Sequence, residues 1–441
     1  MHSSLSIART PRTLTLILLI GSVVLAIHSS ALAQPVPAST PEAPRQSKES
    51  PAQPAAPSPP RPPAAGPATP PGDKPSAVVE ASFGKGATIK SSDDRFSLNL
   101  RGRIQARGTL TETPDDERAP VIGFQVRRLR IVFQGNALGP ALTYYIQLAF
   151  SNLDMEPDLR SPLRDAYFTW AIARDANLRV GQMKVPYGRQ RVVSSSALQM
   201  VDRSIVTSEF NLDRDVGLHL FSKDLFGLGG TLGYSLAVFG GDGRNRIAER
   251  SGLLYAGRIQ VTPMGGFDDF VEADIKREPK PKLAIGVSGA FNQNTNRPRS
   301  TFDTPYQGVH FDYWHAGADV LLKWRGLSVS GEYFYRKADK NERTAEVDDE
   351  AKVQYSRSGW GAFGAVGYMV WSGLELLVRY GYLEPLKDAE NGISERQEVG
   401  GGLSYYFLEH NLKLQADYFY LPDEKFDDGK HEVRLQAQVY Y

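Results

Sequence analysis

Arginine residues recur at alternate positions in two short stretches of this chain, an arrangement suited to binding anions. Arg101 and Arg103 share one parity of the first stretch, Arg128 and Arg130 share one parity of the second, and Arg127 falls on the opposite parity. The guanidinium is a planar fork of N–H donors that fits carboxylate and phosphate oxygens. Several such groups inside a passage with low-dielectric walls would raise the local anion concentration. The alternative is that each arginine pairs with an Asp or Glu and braces the wall.

The residues around these arginines have the period of β-strands. Apolar and polar side chains alternate strictly over 431–441, where the chain ends on an aromatic residue, and similar pieces recur back to about residue 96. Successive strand residues point to opposite faces, so one face of each piece is apolar and the other polar. A soluble strand could look like this, but about sixteen such pieces with short and long connections in alternation indicate a transmembrane antiparallel β-barrel. The connection 263–281 should be short yet is long, which indicates either a periplasmic excursion or a miscounted strand.

A second set of cations surrounds the third long loop, from Val185 to Arg214. Because a wide barrel needs an inward fold to narrow its pore, and about 30 residues suffice for one, we predict that this loop folds into the pore. An extracellular lid without a role in selectivity is the alternative. The candidate anion-binding residues at this level are Lys184, Arg189, Arg191, Arg203 and Arg214.

The start of the chain predicts export. Residues 1–33 read as a signal peptide, with Arg9 and Arg12 before an apolar stretch and Ala31-Leu32-Ala33 as the cleavage site. A transmembrane anchor is the alternative, although the apolar run is shorter than the roughly 20 residues that a spanning helix needs. Residues 34–90 are predicted to be a Pro/Ala-rich, disordered periplasmic linker, which could alternatively reach peptidoglycan. The barrel is then expected to occupy 91–441.

Composition excludes several classes of function. Lys and Arg total 51 against 50 for Asp and Glu, so no global basic charge favours nucleic acid as a partner. There is no cysteine, which rules out thiol catalysis and cysteine-bound metals. His219 and His315 lie on or near predicted strands without a second ligand at a metal spacing. We therefore expect no metal site and no cofactor.

Enzymatic activity is not expected either. An outer-membrane lipase needs a nucleophile and a base at one interface, and the cluster Ser194-Ser195-Ser196 has no histidine near it in the sequence. A structural or adhesive barrel that uses the Pro-rich arm to bind the cell wall, and a periplasmic all-β enzyme, are the remaining alternatives.

Five motifs recur in a fixed order along the first half of the predicted barrel. They are Phe124-Gln125-Val126-Arg127-Arg128-Leu129-Arg130, Asp165-Ala166-Tyr167-Phe168, Leu178-Arg179-Val180-Gly181-Gln182-Met183-Lys184-Val185-Pro186-Tyr187-Gly188, Met200-Val201-Asp202-Arg203-Ser204 and Arg214-Asp215-Val216-Gly217. These motifs resemble the phosphate-selective porin O and P family. The resemblance covers roughly residues 95–240, and the remainder is similar mainly in strand rhythm.

The resemblance implies a sixteen-stranded barrel, usually a homotrimer, whose third loop enters each pore and which passes anions passively. In some members, arginine and lysine ladders tune the pore to phosphate or polyphosphate, whereas this sequence has no long lysine series.

The sequence thus predicts a passive outer-membrane diffusion channel for small anions, with phosphate and polyphosphate as candidate solutes. A general non-selective porin and a structural, cell-wall-attached barrel are the alternatives. The expected partners are outer-membrane lipid, small anions, two further copies of the chain in a homotrimer, and peptidoglycan through the Pro-rich linker.

Overall fold

A computed structural model describes most of the chain from Ala77 onward, namely residues 77–113, 119–156, 158–247, 251–386, 392–422 and 429–441. The predicted signal peptide and the predicted linker up to residue 76 lie outside the described residues. Within those ranges no helix combines the length and the apolar character needed to span a membrane.

Nearly all of the described chain is antiparallel β-sheet, and the sheet closes on itself. Each strand from β3 to β13 pairs with the next, β13 pairs with β16, the pairing continues to β20, and β20 pairs with β3. The predicted antiparallel barrel of sixteen strands is therefore confirmed. The strands are β1 Ala77–Ser82, β2 Gly86–Ser91, β3 Ser97–Glu112, β4 Val121–Asn136, β5 Leu142–Ala149, β6 Leu163–Ala173, β7 Ala176–Lys184, β8 Arg214–Ser222, β9 Leu232–Phe239, β10 Leu254–Val261, β11 Lys282–Thr295, β12 Phe311–Trp324, β13 Leu327–Ala338, β14 Glu342–Val347, β15 Glu350–Tyr355, β16 Gly359–Trp371, β17 Leu374–Pro385, β18 Arg396–Leu408, β19 Leu412–Pro422 and β20 Gly429–Tyr440.

The alternation of side chains gives the barrel an apolar outside and a polar inside. In β12, Trp314 and Val320 are exposed on the outer face, while His315, Asp319 and Lys323 on the other parity are buried. A closed barrel leaves no unpaired strand edge, so a wall of this kind can satisfy its backbone hydrogen bonds in lipid. The lumen therefore receives the charged residues of each strand.

Two hairpins lie outside the barrel wall. Strands β1 and β2 pair with each other, and β2 extends the edge of β3 through the partners Ala87↔Leu100 to Lys90↔Ser97. The predicted linker 34–90 therefore overlaps a folded hairpin from residue 77 onward. The second hairpin consists of β14 and β15, which pair with each other in the connection between β13 and β16.

The connection between β10 and β11 explains the anomaly at 263–281. It leaves the barrel at the end that carries the short turns Arg325-Gly326 and Ser372-Gly373, and the strands on both sides keep their expected places. The strand count was thus correct, and the interpretation as an excursion at the short-turn end is the right one. We call residues 262–281 the short-turn-end segment.

The third long loop, residues 185–213, contains two short helices. Helix α1 spans Arg189–Val192 and helix α2 spans Ile205–Phe210. Ser204 caps α2 because its hydroxyl accepts a hydrogen bond from the backbone N–H of Thr207. The two helices carry the buried residues Arg189 and Glu209.

Candidate channel and its charged lining

A cavity of about 1080 Å³ runs inside the barrel along strands β4 to β10. Its lining includes Lys223 and Gly266 from connections at the short-turn end, and Arg299 and Asp303 from a loop at the opposite end. Of the described residues that line it, thirteen are Lys or Arg and eight are Asp or Glu. The excess of five cations makes this cavity the candidate path for anions.

Six of the nine predicted anion-binding residues line this cavity and three do not. Arg101 donates from Nε to Asn99 and lies 5.5 Å from the ring of Tyr440. Arg103 donates to the hydroxyl of Ser195 at 3.0 Å. The third, Arg189, forms ion pairs with Asp269 and Asp319. The six that line the cavity are Arg128, Arg130, Lys184, Arg191, Arg203 and Arg214.

Four of those six are held by carboxylates, as the bracing alternative anticipates. Arg130 contacts Asp154 through Nε and Nη2 at 2.6 and 2.7 Å, and Arg128 contacts Asp202 at 3.2 Å. Burial alone would raise the pKa of Asp154, but Arg130 and its neighbours lower it well below the usual range. The Asp154 carboxylate is therefore ionised, and it holds Arg130 in position. The other two are Arg214, which bridges Asp165 and Asp213, and Arg191, which contacts Asp213.

Arg127 does not face away from the lumen as its parity predicted. The register between β3 and β4 shifts after the pair Gln105↔Arg128, where a bulge leaves Arg127 without a partner in the ladder. Arg127 then lines the cavity, and its Nε lies 3.8 Å from Asp202. A bulge re-aims one side chain, and no alternation rule can anticipate it.

Lys184 and Arg203 are held by backbone carbonyls instead of carboxylates. The ammonium of Lys184 donates to the carbonyls of Val192 and Val193 at 2.7 and 3.2 Å. Arg203 donates to the carbonyls of Gln190 and Val193, both at 2.8 Å. Burial, followed by the charge of Arg128, lowers the pKa of Arg203. Among the described residues no carboxylate lies within ion-pair distance of either cation, so both differ from the four that are held by carboxylates.

The third long loop is joined to inward-facing side chains on the opposite side of the barrel. Lys413 of β19 donates to the carbonyl of Leu198 at 2.7 Å, and Gln415 donates to that of Gln199. The side chain of Gln199 in turn donates to Ser328 of β13 and Glu375 of β17. Contacts with several separate strands fix this loop.

One residue of the loop, Glu209 in α2, is enclosed by arginines. Its carboxylate lies 2.6 Å from Arg336, 2.7 Å from Arg357, 2.8 Å from Arg396 and 3.6 Å from Arg299. Burial alone would raise the pKa of Glu209, but Arg336 and the hydrogen bond from Arg357 lower it to about 2. We call these five residues the Glu209 cluster.

The short-turn-end segment meets the same loop. Arg189 contacts Asp269 of that segment and Asp319 of β12, both at 2.8 Å. Glu272 accepts hydrogen bonds from the backbone N–H of Gln199 at 2.8 Å and from the Gln190 side chain at 3.2 Å. Connections from opposite ends of the barrel are therefore fastened together, with Arg189 as a brace.

Comparison with known proteins assigns the family. The family profile described as "Phosphate-selective porin O and P" matches residues 98–441. The chain belongs to this family. The resemblance inferred from the sequence motifs is thereby confirmed over the whole barrel, and the family and fold point to an outer-membrane channel instead of an enzyme.

The individual proteins that are similar to this porin share little sequence identity with it. A protein of Aquifex aeolicus (strain VF5), described as an uncharacterized protein, is 23% identical over 306 residues, covering 63% of this chain and 67% of that protein. The outer membrane channel DcaP of Acinetobacter baumannii matches with a TM-score of 0.51 and 14% identity, covering 82% of this chain and 100% of that one. The anion-selective porin from Comamonas acidovorans matches with a TM-score of 0.52 and 11% identity, covering 78% and 100%. At these identities the two solved structures show a shared fold and no more.

Sequence reasoning missed several cations in the lining of the porin. Arg164, Arg244 and Arg258 all line the cavity, yet none of them lies in the stretches from which the candidates were chosen. Arg258 lies on the inward parity of β10, so a search for isolated inward cations could have found it. Arg164 lies on the outward parity of β6 and reaches the cavity at a bulge, where the register shifts between the partners Asp165 and Leu163. Arg244 lies in a loop, where no parity applies.

Proposed function

We propose that the cavity is a passive diffusion path that favours small anions over cations. The observation that carries this proposal is the excess of five cations in the lining, to which Lys184 and Arg203 contribute without a carboxylate partner among the described residues. Charges of one sign in a passage with low-dielectric walls concentrate the opposite ion and repel their own kind. No covalent step is needed.

We further propose that the third long loop occupies part of the lumen and confines permeation to the β4–β10 side. Supporting this, the loop bonds to inward-facing side chains of β13, β17 and β19, while the cavity lies along the other wall. Its hydrophobic residues Val206 and Phe210 pack with Phe334 and Phe363 of the wall strands. The cations Arg191, Arg203 and Arg214 would then line or brace the narrowest part.

Oxyanions such as phosphate and polyphosphate are the solutes that the lining best suits. Guanidinium groups bind planar and tetrahedral oxyanions through two parallel hydrogen bonds, which chloride cannot accept. Arg128 and Arg130 are fixed by carboxylates and would act as a scaffold, whereas Lys184 and Arg203 would exchange a carbonyl for a passing oxyanion. Competition between phosphate and chloride in single-channel recordings tests this preference.

The experiment for the anion preference compares two matched double variants. Lys184→Gln with Arg203→Gln removes two lining charges, while Lys85→Gln with Lys90→Gln removes two exposed charges from the β1–β2 hairpin. In a planar bilayer with a KCl gradient, the first variant should shift the reversal potential towards the value of a cation-selective channel, and the second should leave it unchanged. Equal shifts, or none, would count against the role given to the lining.

The general non-selective porin remains the competing function, because the eight lining carboxylates neutralise much of the cationic charge. A reversal potential near zero for the unmodified protein would favour it. No selectivity for phosphate over chloride would then be expected either.

We propose that the protein assembles as a homotrimer in outer-membrane lipid after removal of a signal peptide over residues 1–33. Family membership supports this proposal. The barrel closes within one chain, so a trimer is not needed to complete it. Native mass spectrometry in detergent tests the trimer, and N-terminal sequencing of the exported protein tests cleavage after Ala33.

We propose that the Pro-rich linker connects the barrel to peptidoglycan. Its composition favours an extended spacer, and it precedes the hairpin at the short-turn end, which faces the periplasm in a barrel of this kind. A peptidoglycan pull-down with and without residues 34–76 tests it, and equal retention of both forms would remove the proposal.

A further inference from the structure

Aromatic and cationic side chains form a continuous strip across four adjacent strands of the cavity wall. The rings of Tyr145 in β5 and Tyr167 in β6 stack at 5.3 Å with an interplanar angle of 15°. The guanidinium of Arg179 in β7 lies 4.3 Å from the Tyr167 ring and 4.9 Å from the Phe221 ring in β8. The imidazole of His219 stacks on Phe221 at 4.7 Å. All five side chains line the cavity, and we call them the aromatic strip.

Arg179 is a cation that the protein holds in place without neutralising it. Its Nε donates to the hydroxyl of Thr169 at 3.0 Å, and among the described residues no carboxylate lies within ion-pair distance of it. The two flanking rings hold the planar guanidinium in one orientation and shield it partly from water. Partial desolvation strengthens a hydrogen bond between its free N–H groups and an anion. Arg179 thus presents a donor fork to a solute in the cavity.

His219 supplies a second, independent indication of a ligand. Its Cα is the direct cross-strand partner of the Cα of Arg179, so the two side chains share one face of the wall. The side chain is 7% exposed, and within the described part of the chain neither ring nitrogen has a hydrogen-bond partner. A buried polar group without a partner is costly, and a bound acceptor would remove that cost.

Further aromatic residues line the cavity, together with polar and charged ones such as Ser235 and Arg258. Phe267 and Phe270 of the short-turn-end segment line the same cavity as the strip. A hydrated inorganic anion gains nothing from ring surfaces, whereas an aromatic solute buries apolar area against them and can pack edge-to-face or offset. The site therefore suits a solute with a planar apolar body and an anionic head.

We propose that the aromatic strip is a binding subsite for aromatic carboxylates in transit through the channel. The carboxylate accepts hydrogen bonds from Arg179 and His219, and the ring of the solute lies among Tyr167, Phe221 and Phe267. This subsite deepens the proposed function and rests on it, because the solute must first enter an anion-favouring path. It names organic anions with an aromatic ring as preferred solutes.

Block of the chloride current in planar bilayers tests the subsite. Benzoate and acetate carry the same carboxylate and differ in the ring, and phosphate serves as an inorganic reference. For the unmodified channel, half-block by benzoate should need a concentration about tenfold lower than half-block by acetate, as expected for burial of one ring. Equal half-block concentrations for the two would overturn the proposal.

Variants separate the contributions of charge and ring. Arg179→Gln should raise the half-block concentration of both carboxylates by about tenfold, the effect of one charge-assisted hydrogen bond. Phe221→Leu should raise that of benzoate alone. The matched control is Phe168→Leu, since Phe168 lies beside Tyr167 in β6 but is exposed on the outer face.

The outcomes distinguish the subsite from the channel proposal. Three results in a channel that is anion-selective in KCl would overturn the subsite alone: no preference for benzoate, a preference that survives Phe221→Leu, or half-block concentrations that Arg179→Gln leaves unchanged. A channel without anion selectivity overturns the proposed function and the subsite with it. Should Arg179→Gln fail to insert, Phe221→Leu carries the test.

Discussion

Arg336 of β13 places its Nη2 atom 2.6 Å from the carboxylate of Glu209, and both side chains are completely buried. Arg336 also donates to the backbone carbonyl of Glu209 at 2.9 Å, so the helix α2 is held by its backbone as well as by its charge. This pair fixes the α2 end of the third long loop to the barrel wall.

Neutralising Glu209 should release this end of the loop. Glu209→Gln leaves Arg299, Arg336, Arg357 and Arg396 facing an amide, and breaking buried ion pairs in this way costs about 3–5 kcal/mol. Larger conductance with more open-channel noise is expected, together with a lower unfolding temperature in detergent. Asp303→Asn is the control, because among the described residues Asp303 forms an ion pair with the partly exposed Arg299 alone, and its loss should cost less than about 1 kcal/mol. Indistinguishable behaviour of the two variants would refute the anchoring role.

Acidification should release the loop only at very low pH. The pKa of Glu209 is depressed to about 2, so its contribution to stability is fully present above about 4.5, its ordinary value, and is lost as pH falls towards 2. Open-channel noise should therefore stay constant from pH 7 to 5 and rise below pH 4. The Glu209→Gln channel should lack this step. A step already present at pH 6 would contradict the assignment.

Arg130 and Asp154 should behave as a unit. Arg130→Gln leaves a buried carboxylate that loses its two-point partner, so we expect weaker anion selectivity and a loss of about 3 kcal/mol in the free energy of unfolding. Adding Asp154→Asn should restore most of both. Arg174→Gln is the comparison, because Arg174 forms an exposed pair with Asp175 and should change neither quantity. Additive effects of the two substitutions would show that the pair is not coupled.

Arg189 should couple two connections that enter from opposite ends. Removing it by Arg189→Gln breaks the contact with Asp269, so amide hydrogen exchange should quicken both in residues 185–213 and in residues 262–281. Lys184→Gln removes the hydrogen bonds from β7 to Val192 and Val193 of the loop and, within the described part of the chain, none to residues 262–281, which it should leave unchanged. Faster exchange in only one of the two segments after Arg189→Gln would argue against the brace.

The local alternation of apolar and polar residues was sufficient to predict the strands of the barrel wall. Each strand buries one face and exposes the other, so alternation in 311–324 or 412–422 predicts its strand without knowledge of its neighbours. The same rule placed Arg128 and Arg130 inside. It failed at Arg127, where the bulge depends on the register between two strands and not on the residues of one.

The partners of the arginines could not be read from the sequence. Asp154 and Asp202 reach the arginines of β4 from separate loops, and their approach depends on how those loops pack across the barrel. The aromatic strip likewise needs four strands in register before Tyr167, Arg179 and Phe221 become neighbours. Alternation predicts which face a side chain occupies, and only pairing decides what it meets.

The reversal potential of the unmodified channel across a KCl gradient in a planar bilayer tests the central claim most directly. The excess of cations around the cavity predicts the sign that corresponds to chloride passing more readily than potassium. A reversal potential of the opposite sign, or of zero, would contradict the proposal that the cationic lining, including Lys184 and Arg203, favours anions.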